Sequence, residues 1–233
     1  MNGKWVFLMA AALGCTGCVI ERAGPMEHSS KAIDRDNAKL VRVNFNMGAG
    51  RLRVENGTDK LADASFTYNS PWRPEMDYSN SAGYGRLTIE EPDREHGFRA
   101  GKHENEWDIR VNHEVPLEIA THMGAGEAHL TLGGLNLRSV EVEVGAGQLD
   151  LDLRGKPENS YDVRIRGGAG EATLRLPSTV GVEASVRGGI GEIEASGLRG
   201  DKRRYYNDAY GNSKVTVHVD IEGGVGSIQL IAE

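Results

Sequence analysis

The chain has 233 residues, of which 39% are hydrophobic and 6% aromatic, and its formal net charge is −7. This length fits a single domain, and the scarcity of aromatic residues favours a core of Val, Leu, Ile and Ala. The acidic balance argues against a nucleic-acid-binding surface, because such a surface needs clustered Lys and Arg. The 31 glycines are grouped in short motifs, so their number does not indicate disorder.

Residues 1–18 predict export and lipid attachment. Lys4 precedes an apolar stretch at residues 5–13, which is shorter than the about 20 residues that cross a bilayer. The sequence GCTGC that follows resembles a bacterial lipobox, in which a small residue precedes the acylated cysteine. Cys15 fits this pattern better, Cys18 is the alternative, and an ordinary cleaved signal peptide is a third reading. A multiply acylated cysteine would anchor the protein on a membrane.

Residues 19–37 show no hydrophobic periodicity and contain Gly24 and Pro25, so we predict a flexible tether there. The folded domain is predicted to span residues 38–233. Both cysteines of the chain precede this domain, which excludes disulfide or thiol chemistry within it.

The segment 140–153, VEVEVGAGQLDLDL, defines the unit from which the domain is predicted to be built. Two runs of apolar/charged alternation flank Gly145-Ala146-Gly147, and this period of two is typical of half-buried strands. Glycine tolerates a sharp change of direction and the close approach of another backbone. The segment therefore predicts a strand, a corner and a second strand.

This unit recurs along the chain. The three central spacings between corners are 21, 23 and 21 residues, and the gaps of 35 and 41 residues indicate coils with inserted loops. Stacked coils would lie about 4.8 Å apart. We therefore predict an all-β fold, a single-stranded parallel β-solenoid with repeated Gly-x-Gly corners at residues 48–50, 83–85, 124–126, 145–147, 168–170, 189–191 and 224–226.

Two irregular segments contain most of the exposed aromatic and cationic candidates. Residues 69–75 include two prolines and are predicted to form a loop or edge in which Trp72 covers the solenoid. Residues 200–211, GDKRRYYNDAYG, could contact sugars or a protein partner, or could cover the last coil. The candidate interaction surface consists of Trp72, Arg203, Arg204, Tyr205, Tyr206 and Tyr210.

The corners do not predict phosphate or metal binding. No helix follows any of them, as a phosphate site would require. Calcium-binding repeats need Asp after the glycines, and the chain has apolar residues there: Ala128, Leu149, Ala172 and Ile193. His122 and His129 lie beside one corner and are the nearest approach to a metal site. We therefore predict no metal and no cofactor.

Glu141, Glu143, Asp150 and Asp152 alternate with the apolar residues of the repeat unit. Parallel β-helix enzymes use carboxylates on one wall to cleave polysaccharides, and a pair at working distance could act as acid and base. Alternating charge is also what the solvated face of any strand shows. Because Gly-x-Ser-x-Gly and His-Glu-x-x-His motifs are absent from the sequence, we predict that the protein is not an enzyme.

Several motifs together resemble the toast-rack domain family. They are residues 105–110 (NEWDIR), the repeated corners, residues 167–174 (GGAGEATL) and residues 206–211 (YNDAYG), and the resemblance extends from about residue 40 to the end of the sequence. It implies a β-solenoid on an envelope protein, akin to β-helical adhesin-like proteins and to modules of cell-wall-antibiotic response regulators. It implies no established catalysis, and it makes the tyrosine motif part of the fold.

The sequence thus predicts a non-catalytic lipoprotein on the extracytoplasmic side of a bacterial membrane, acting as a structural, adhesive or sensing scaffold. Its expected partners are the membrane, through the lipid, and an envelope protein or polysaccharide, with no nucleic acid. One alternative is a β-helical carbohydrate-active enzyme or carbohydrate-binding protein. The other is an envelope-stress module that binds a membrane partner.

Overall fold

The structure, a computed structural model, describes residues 24–70, 72–92, 104–201 and 203–233, with the backbone alone for residues 189, 190 and 225. Within these residues every regular element is a strand, so no helix is present that could cross a membrane. The strands are β1 (Met26–Ile33), β2 (Leu40–Asn56), β3 (Ala62–Asn69), β4 (Glu75–Ser81), β5 (Tyr84–Glu90), β6 (Asn105–Val111), β7 (Leu117–Thr131), β8 (Leu137–Asp152), β9 (Tyr161–Leu176), β10 (Gly181–Ser196), β11 (Arg199–Gly200), β12 (Arg204–Tyr206) and β13 (Thr216–Ala232).

Six long strands form the body of the molecule: β2, β7, β8, β9, β13 and β10. They pair in parallel, and their Gly-x-Gly corners lie in register from Gly50 through Gly126, Gly147 and Gly170 to the last two strands. We call the strand halves before the corners the first wall and those after the corners the second wall. This arrangement confirms the predicted parallel β-solenoid.

Alternation along each strand places its apolar residues between the two walls. In the second wall, Val54, Leu130, Leu151, Leu174 and Leu230 occupy one register position and are each at most 1% exposed. Burial of such side chains contributes about 1.5–3 kcal/mol each. Charged residues occupy the alternate, outward positions, as the period of two predicts.

The second glycine of a corner is required by the stacking of coils as well as by the bend. Gly126 has a φ of +124°, and a Cβ atom on it would lie 1.9 Å from the carbonyl oxygen of Gly50. A side chain there would clash with backbone of the neighbouring coil, in a region of φ that favours glycine. The second glycines of successive corners can therefore stack at strand spacing only because they lack Cβ atoms.

The coil that precedes β2 in the stack is split between two strands. β5 pairs with the first half of β2 and β6 pairs with the second half. Side chains replace the glycine corner here: the Gly48 N–H donates to Glu91 Oε1 at 3.0 Å, and Asn105 Nδ2 donates to the Ala49 carbonyl oxygen at 2.7 Å. Residues 93–103, between β5 and β6, lie outside the described residues.

Antiparallel strands cover this end of the solenoid. β3 pairs with β6, β1 pairs with β3, and β4 pairs with β5. Strand β1 lies within the segment predicted to be a flexible tether, so for residues 26–33 that prediction was wrong. As an outermost strand with polar residues on both faces, β1 lacks the apolar periodicity on which the prediction depended.

One of the seven predicted corners is a hairpin turn. Ala82 and Gly83, with φ of +54° and +86°, reverse the chain between β4 and β5. The left-handed backbone that suits a tight turn also favours glycine, so the triplet at 83–85 resembles a corner in sequence. The chain therefore has six stacked corners in its described residues.

The stack does not follow chain order at its C-terminal end. Strand β13 lies between β9 and β10 and pairs in parallel with both. The 35 residues that separate the last two corners in sequence therefore include β11 and β12. Through this segment the chain returns to the position between β9 and β10 that β13 occupies. Periodicity specifies the coil but does not specify which coils are neighbours.

Candidate functional site

Five of the six predicted interaction residues come together on the first wall at the C-terminal end. Strand β12 carries Arg204, Tyr205 and Tyr206 and pairs antiparallel with Glu183–Ser185 of β10. The Arg203 and Arg204 side chains are exposed, whereas Tyr205 and Tyr206 are partly buried. The rings of Tyr206 and Tyr210 lie 4.8 Å apart at an angle of 39°. We call these five residues the tyrosine surface.

Asn207 fixes the tyrosine surface to the last coil, and sequence reasoning did not single it out. Its Nδ2 donates to the carbonyl oxygens of Pro177 and Val180 at 3.1 and 2.7 Å, and the Val182 N–H donates to its Oδ1 at 2.9 Å. The side chain is 2% exposed. Its place inside the motif YNDAYG was the available signal, since Asn commonly bonds to nearby backbone.

The electrostatics of the tyrosine surface favour a neutral phenol beside fixed guanidinium groups. Desolvation, followed by a hydrogen bond to Glu183, raises the pKa of Tyr210. The backbone N–H groups of Arg203 and Arg204 donate to Asp201 and lower its pKa. The Tyr210 hydroxyl donates to Glu183 Oε2 at 3.2 Å. Such a surface can stack on and hydrogen-bond to a polar partner.

Trp72 lies apart from the tyrosine surface. It follows β3 at the opposite end of the stack, is 3% exposed, and donates its backbone N–H to the Asn69 carbonyl oxygen at 2.9 Å. A buried ring cannot serve as an exposed contact. Its position agrees with the expectation that it covers the solenoid rather than with its inclusion in the interaction surface.

The four carboxylates of the repeat unit are divided between the two walls and engaged by arginines. Arg166 Nη1 lies 2.6 Å from Glu143 Oε1 and 3.5 Å from Glu141 Oε1 on the first wall, and Arg175 contacts Asp150 on the second. Arg154 donates to both carboxylate oxygens of Asp152 and lowers its pKa. A general acid needs the opposite shift, a raised pKa.

The two histidines also lie on different walls. His122 Nε2 is 3.7 Å from Glu143 Oε2, and His129 lies 3.6 Å from Glu127 and 3.9 Å from Asp150. Over the described ranges no three His, Cys, Asp or Glu side chains are grouped as a metal site would require. Cys15 and Cys18 lie outside the described residues, so their lipidation stays a prediction.

A crevice at the C-terminal corners is a feature that sequence reasoning missed. The residue immediately before the corner is Met47, Met123 or Val144 in the first three stacked coils, each at most 8% exposed. In the last three coils it is glycine: Gly167, Gly223 and Gly188. A cavity of about 90 Å³ opens there, lined by apolar residues that include Ile165, Ile193, Ile221 and Ile228. The available signal was the change from MGAG or VGAG to GGxG.

Comparison with known proteins identifies the family. The model of the N-terminal domain of toast_rack, DUF2154, matches residues 22–175. The crystal structure of a candidate cell adhesion protein from Clostridium sporogenes ATCC 15579 is 33% identical and covers 90% of this chain and 100% of its own, with a TM-score of 0.87. No curated protein matches the chain.

Two further crystal structures are more distant. A candidate adhesin from Bacteroides fragilis NCTC 9343 and another from Parabacteroides merdae ATCC 43184 are each 9% identical and cover 88% of this chain and 97% of their own. Their TM-scores of 0.33 and 0.30 are too low to support a structural argument. The family model and the Clostridium sporogenes structure are sufficient: this chain belongs to the toast_rack family.

Proposed function

We propose that the protein is a non-catalytic, lipid-anchored scaffold of the bacterial envelope whose solenoid mediates adhesion. Adhesion is suggested by the Clostridium sporogenes relative, which is described as a candidate cell adhesion protein and shares 33% identity over 90% of this chain. The observation that carries the non-catalytic part is the pairing of outward carboxylates with arginines along both walls. A catalytic wall would instead need carboxylates that converge on a cleft.

The ion pairs connect neighbouring coils. Arg51 contacts Glu106 on one side, and its Nε lies 3.0 Å from Glu127 on the other. Arg166 likewise lies between β8 and β13, with its Nε 3.6 Å from Glu222. Exposed pairs contribute at most about 1 kcal/mol each. Their arrangement supports a structural role, in which the ion pairs link side chains of neighbouring coils, rather than the activation of a substrate.

The anchor would place the solenoid close to a membrane. Strand β1 begins at Met26, which is 11 residues after Cys15 and 8 after Cys18. An extended chain of this length reaches about 25–40 Å. In this proposal the end covered by β1 and β4 faces the membrane, and the tyrosine surface and β10 face away from it.

Mass spectrometry of the mature N-terminus from native membranes tests the anchor. We expect a diacyl or triacyl mass on one cysteine, lost in either Cys15→Ser or Cys18→Ser and retained in the other variant. An unlipidated N-terminus in the soluble extract would overturn the anchored scaffold and favour a secreted carbohydrate-binding or carbohydrate-cleaving protein.

Adhesion is tested on cells, and catalysis is tested on the purified protein. Cells that express the full chain should be retained on an adhesive substratum under flow more strongly than cells that lack it. Incubation of the purified protein with cell-wall polysaccharides should release no reducing ends. Release that disappears in Glu143→Gln or Asp150→Asn, but not in the exposed loop variant Glu158→Gln, would contradict the proposal and establish hydrolysis.

A carbohydrate-binding role is supported by a separate observation, the exposed ring of Tyr210 beside Tyr206 and Arg204. Aromatic rings with adjacent hydrogen-bonding groups can bind sugars by stacking on their apolar faces. In a sedimentation assay with insoluble cell-wall polysaccharide, Tyr210→Ala should then reduce the bound fraction severalfold, and Tyr84→Ala, at the other end, should not. Equal binding of both variants would exclude the tyrosine surface as the sugar site.

A further inference from the structure

The second wall ends in a strand whose outer edge is uncovered. β10 pairs with β13 along its whole length, but β12 covers only Glu183–Ser185, and the Val186 N–H donates to the Arg203 carbonyl oxygen at 2.9 Å. From Arg187 to Ser196, no strand of the described chain lies on the side away from β13. An unpaired edge of this length is a template for pairing with another chain.

The hydrophobic core reaches solvent at this edge. Ala195 occupies the register position of Leu174 and Leu230, which are 0% exposed, yet Ala195 itself is exposed. Ile193 is likewise only partly buried, whereas Leu52, at the equivalent place near the other end, is 0% exposed. The last coil thus has the apolar side chains of an interior coil without a neighbour to bury them.

The crevice lies beside this edge and has space for a side chain. A Cβ atom added to Gly167 would meet no atom within 4 Å, and Gly188, Gly191 and Ile193 of β10 form part of the lining. The position that Met47, Met123 and Val144 fill in other coils is therefore empty at Gly167, and the crevice extends from there past β13 to the residues of β10 beside the free edge. An apolar side chain on an added strand would fit here, since a cavity lined by apolar groups favours apolar occupants.

The charges at the edge indicate what the added strand would carry. In the interior, outward carboxylates face arginines of neighbouring strands, as Asp108 faces Arg53 and Asp150 faces Arg175. Glu192 and Glu194 are exposed and form no ion pair with any described side chain; Glu194 accepts only a hydrogen bond from Gln229, at 3.4 Å. The pattern of the walls would be continued by a strand with Lys or Arg opposite these carboxylates.

We infer that the edge of β10 from Arg187 to Ser196 binds an extended peptide segment of another protein, which adds as a further strand. The segment inserts one apolar side chain into the crevice and places basic residues beside Glu192 and Glu194. Unpaired backbone donors and acceptors select a peptide over a lipid or a sugar. A second copy is disfavoured, because antiparallel pairing of two such edges brings the carboxylates of one copy against those of the other. This inference goes beyond the scaffold role and does not depend on the lipid anchor.

The test uses the full chain and a random nonapeptide library displayed on phage. We expect the enriched peptides to alternate basic and other residues around one apolar position. The best of them, made synthetically, should slow amide hydrogen exchange at residues 191–196 and leave β1 unchanged. Enrichment of peptides without alternation, no enrichment, or protection confined to another surface would overturn the inference.

Three variants separate docking from general effects. Gly167→Val fills the crevice and should weaken binding of the selected peptide at least tenfold while the protein keeps its circular dichroism spectrum and melting temperature or melts higher. Glu194→Lys should weaken it severalfold, and Glu158→Lys, the same charge change in a remote exposed loop, should not. Binding that is unchanged by both Gly167→Val and Glu194→Lys contradicts the inference. So does self-association of the full chain that protects the same edge, which would identify a second copy as the occupant.

Discussion

The two ends of the solenoid are built differently although the coils between them repeat. At the first end, β1, β3 and β4 cover both walls, and the Trp107 ring packs edge-on against Phe66 with centroids 5.7 Å apart. At the other end β12 covers only part of the first wall, and the residue immediately before each corner is glycine. The second half of β10 has no neighbouring strand of the described chain on its outer side. A repeat stabilises its own interior, but each end depends on residues outside the repeat.

The difference in packing between the two ends is tested most strongly at Trp107, which is 1% exposed and donates from Nε1 to Asn105 Oδ1 at 2.8 Å. Trp107→Ala should reduce the free energy of unfolding by about 3–5 kcal/mol, because it leaves a large cavity under the covering strands. Chemical denaturation gives this value. Trp107→Phe, which keeps a ring, should lose less, and a loss below about 1 kcal/mol for Trp107→Ala would mean that this end is not the better packed one.

A matched pair of glycine substitutions distinguishes the two kinds of corner position. Gly126→Ala should destabilise by about 3 kcal/mol, from overpacking and unfavourable positive φ together. Gly167→Ala, whose Cβ atom would meet nothing within 4 Å, should be neutral or stabilising. Thermal unfolding measures the stability of both variants. An equal loss of stability in the two would show that clashes between stacked coils do not distinguish these positions.

Asn207→Ala tests how firmly the partial cover of β12 is held. The variant leaves the carbonyl oxygens of Pro177 and Val180 and the Val182 N–H without their partner, which costs at least as much as one unsatisfied buried group, about 1–3 kcal/mol. Hydrogen exchange should increase at residues 180–186 and remain unchanged in β3. Equal acceleration throughout would indicate global rather than local loss.

Filling the empty corner should make the two ends more alike. Gly167→Val restores a side chain in line with Val144 and should stabilise the protein by about 1 kcal/mol, from apolar burial and reduced freedom of the unfolded chain. For a chain of this size this corresponds to a rise of about 2–4 °C in melting temperature. A lower melting temperature would show that the crevice is closed by side-chain movement in solution.

The smallest effect is expected at the ion pairs of the walls. Hydrogen bonds from Arg154 lower the pKa of Asp152 in the folded state, so its contribution to stability is present above the unfolded pKa and is lost as pH falls below about 4. Because the pair is partly exposed, the loss should be below about 1 kcal/mol. Asp152→Asn and Arg154→Gln should each remove the same part of the acid dependence measured by denaturation between pH 5 and pH 2; no difference from wild type would exclude the pair.

Sequence alone was sufficient for the interior of the fold. The alternation around residues 145–147 predicted the bent strand β8, and the spacing of glycine triplets predicted the parallel stack, because both follow from local periodicity. Strand β1, the hairpin at Ala82 and Gly83, and the insertion of β13 were not predicted. They depend on which segments meet in space, and no period in the sequence encodes that.

The candidate site was predictable only in part. The composition of residues 200–211 identified the tyrosine surface, because the segment combines three tyrosines with a basic cluster in a chain that is only 6% aromatic. Trp72 was grouped with it wrongly, since ring chemistry does not reveal burial. The GGxG sequences mark the corners that line the crevice. They could not be interpreted as an open site without the register, which shows that Met47 and Met123 fill the same position in other coils.

The place of β13 between β9 and β10 also governs how the molecule can be assembled during synthesis. β10 is made first, yet it must come to rest two strand spacings, about 9.6 Å, from β9. Each of these two strands pairs with β13 and not with the other, although both carry a glycine corner at the same register position. Growth in chain order therefore cannot give the native stack at this end, because β13, which is synthesised last, pairs with both β9 and β10.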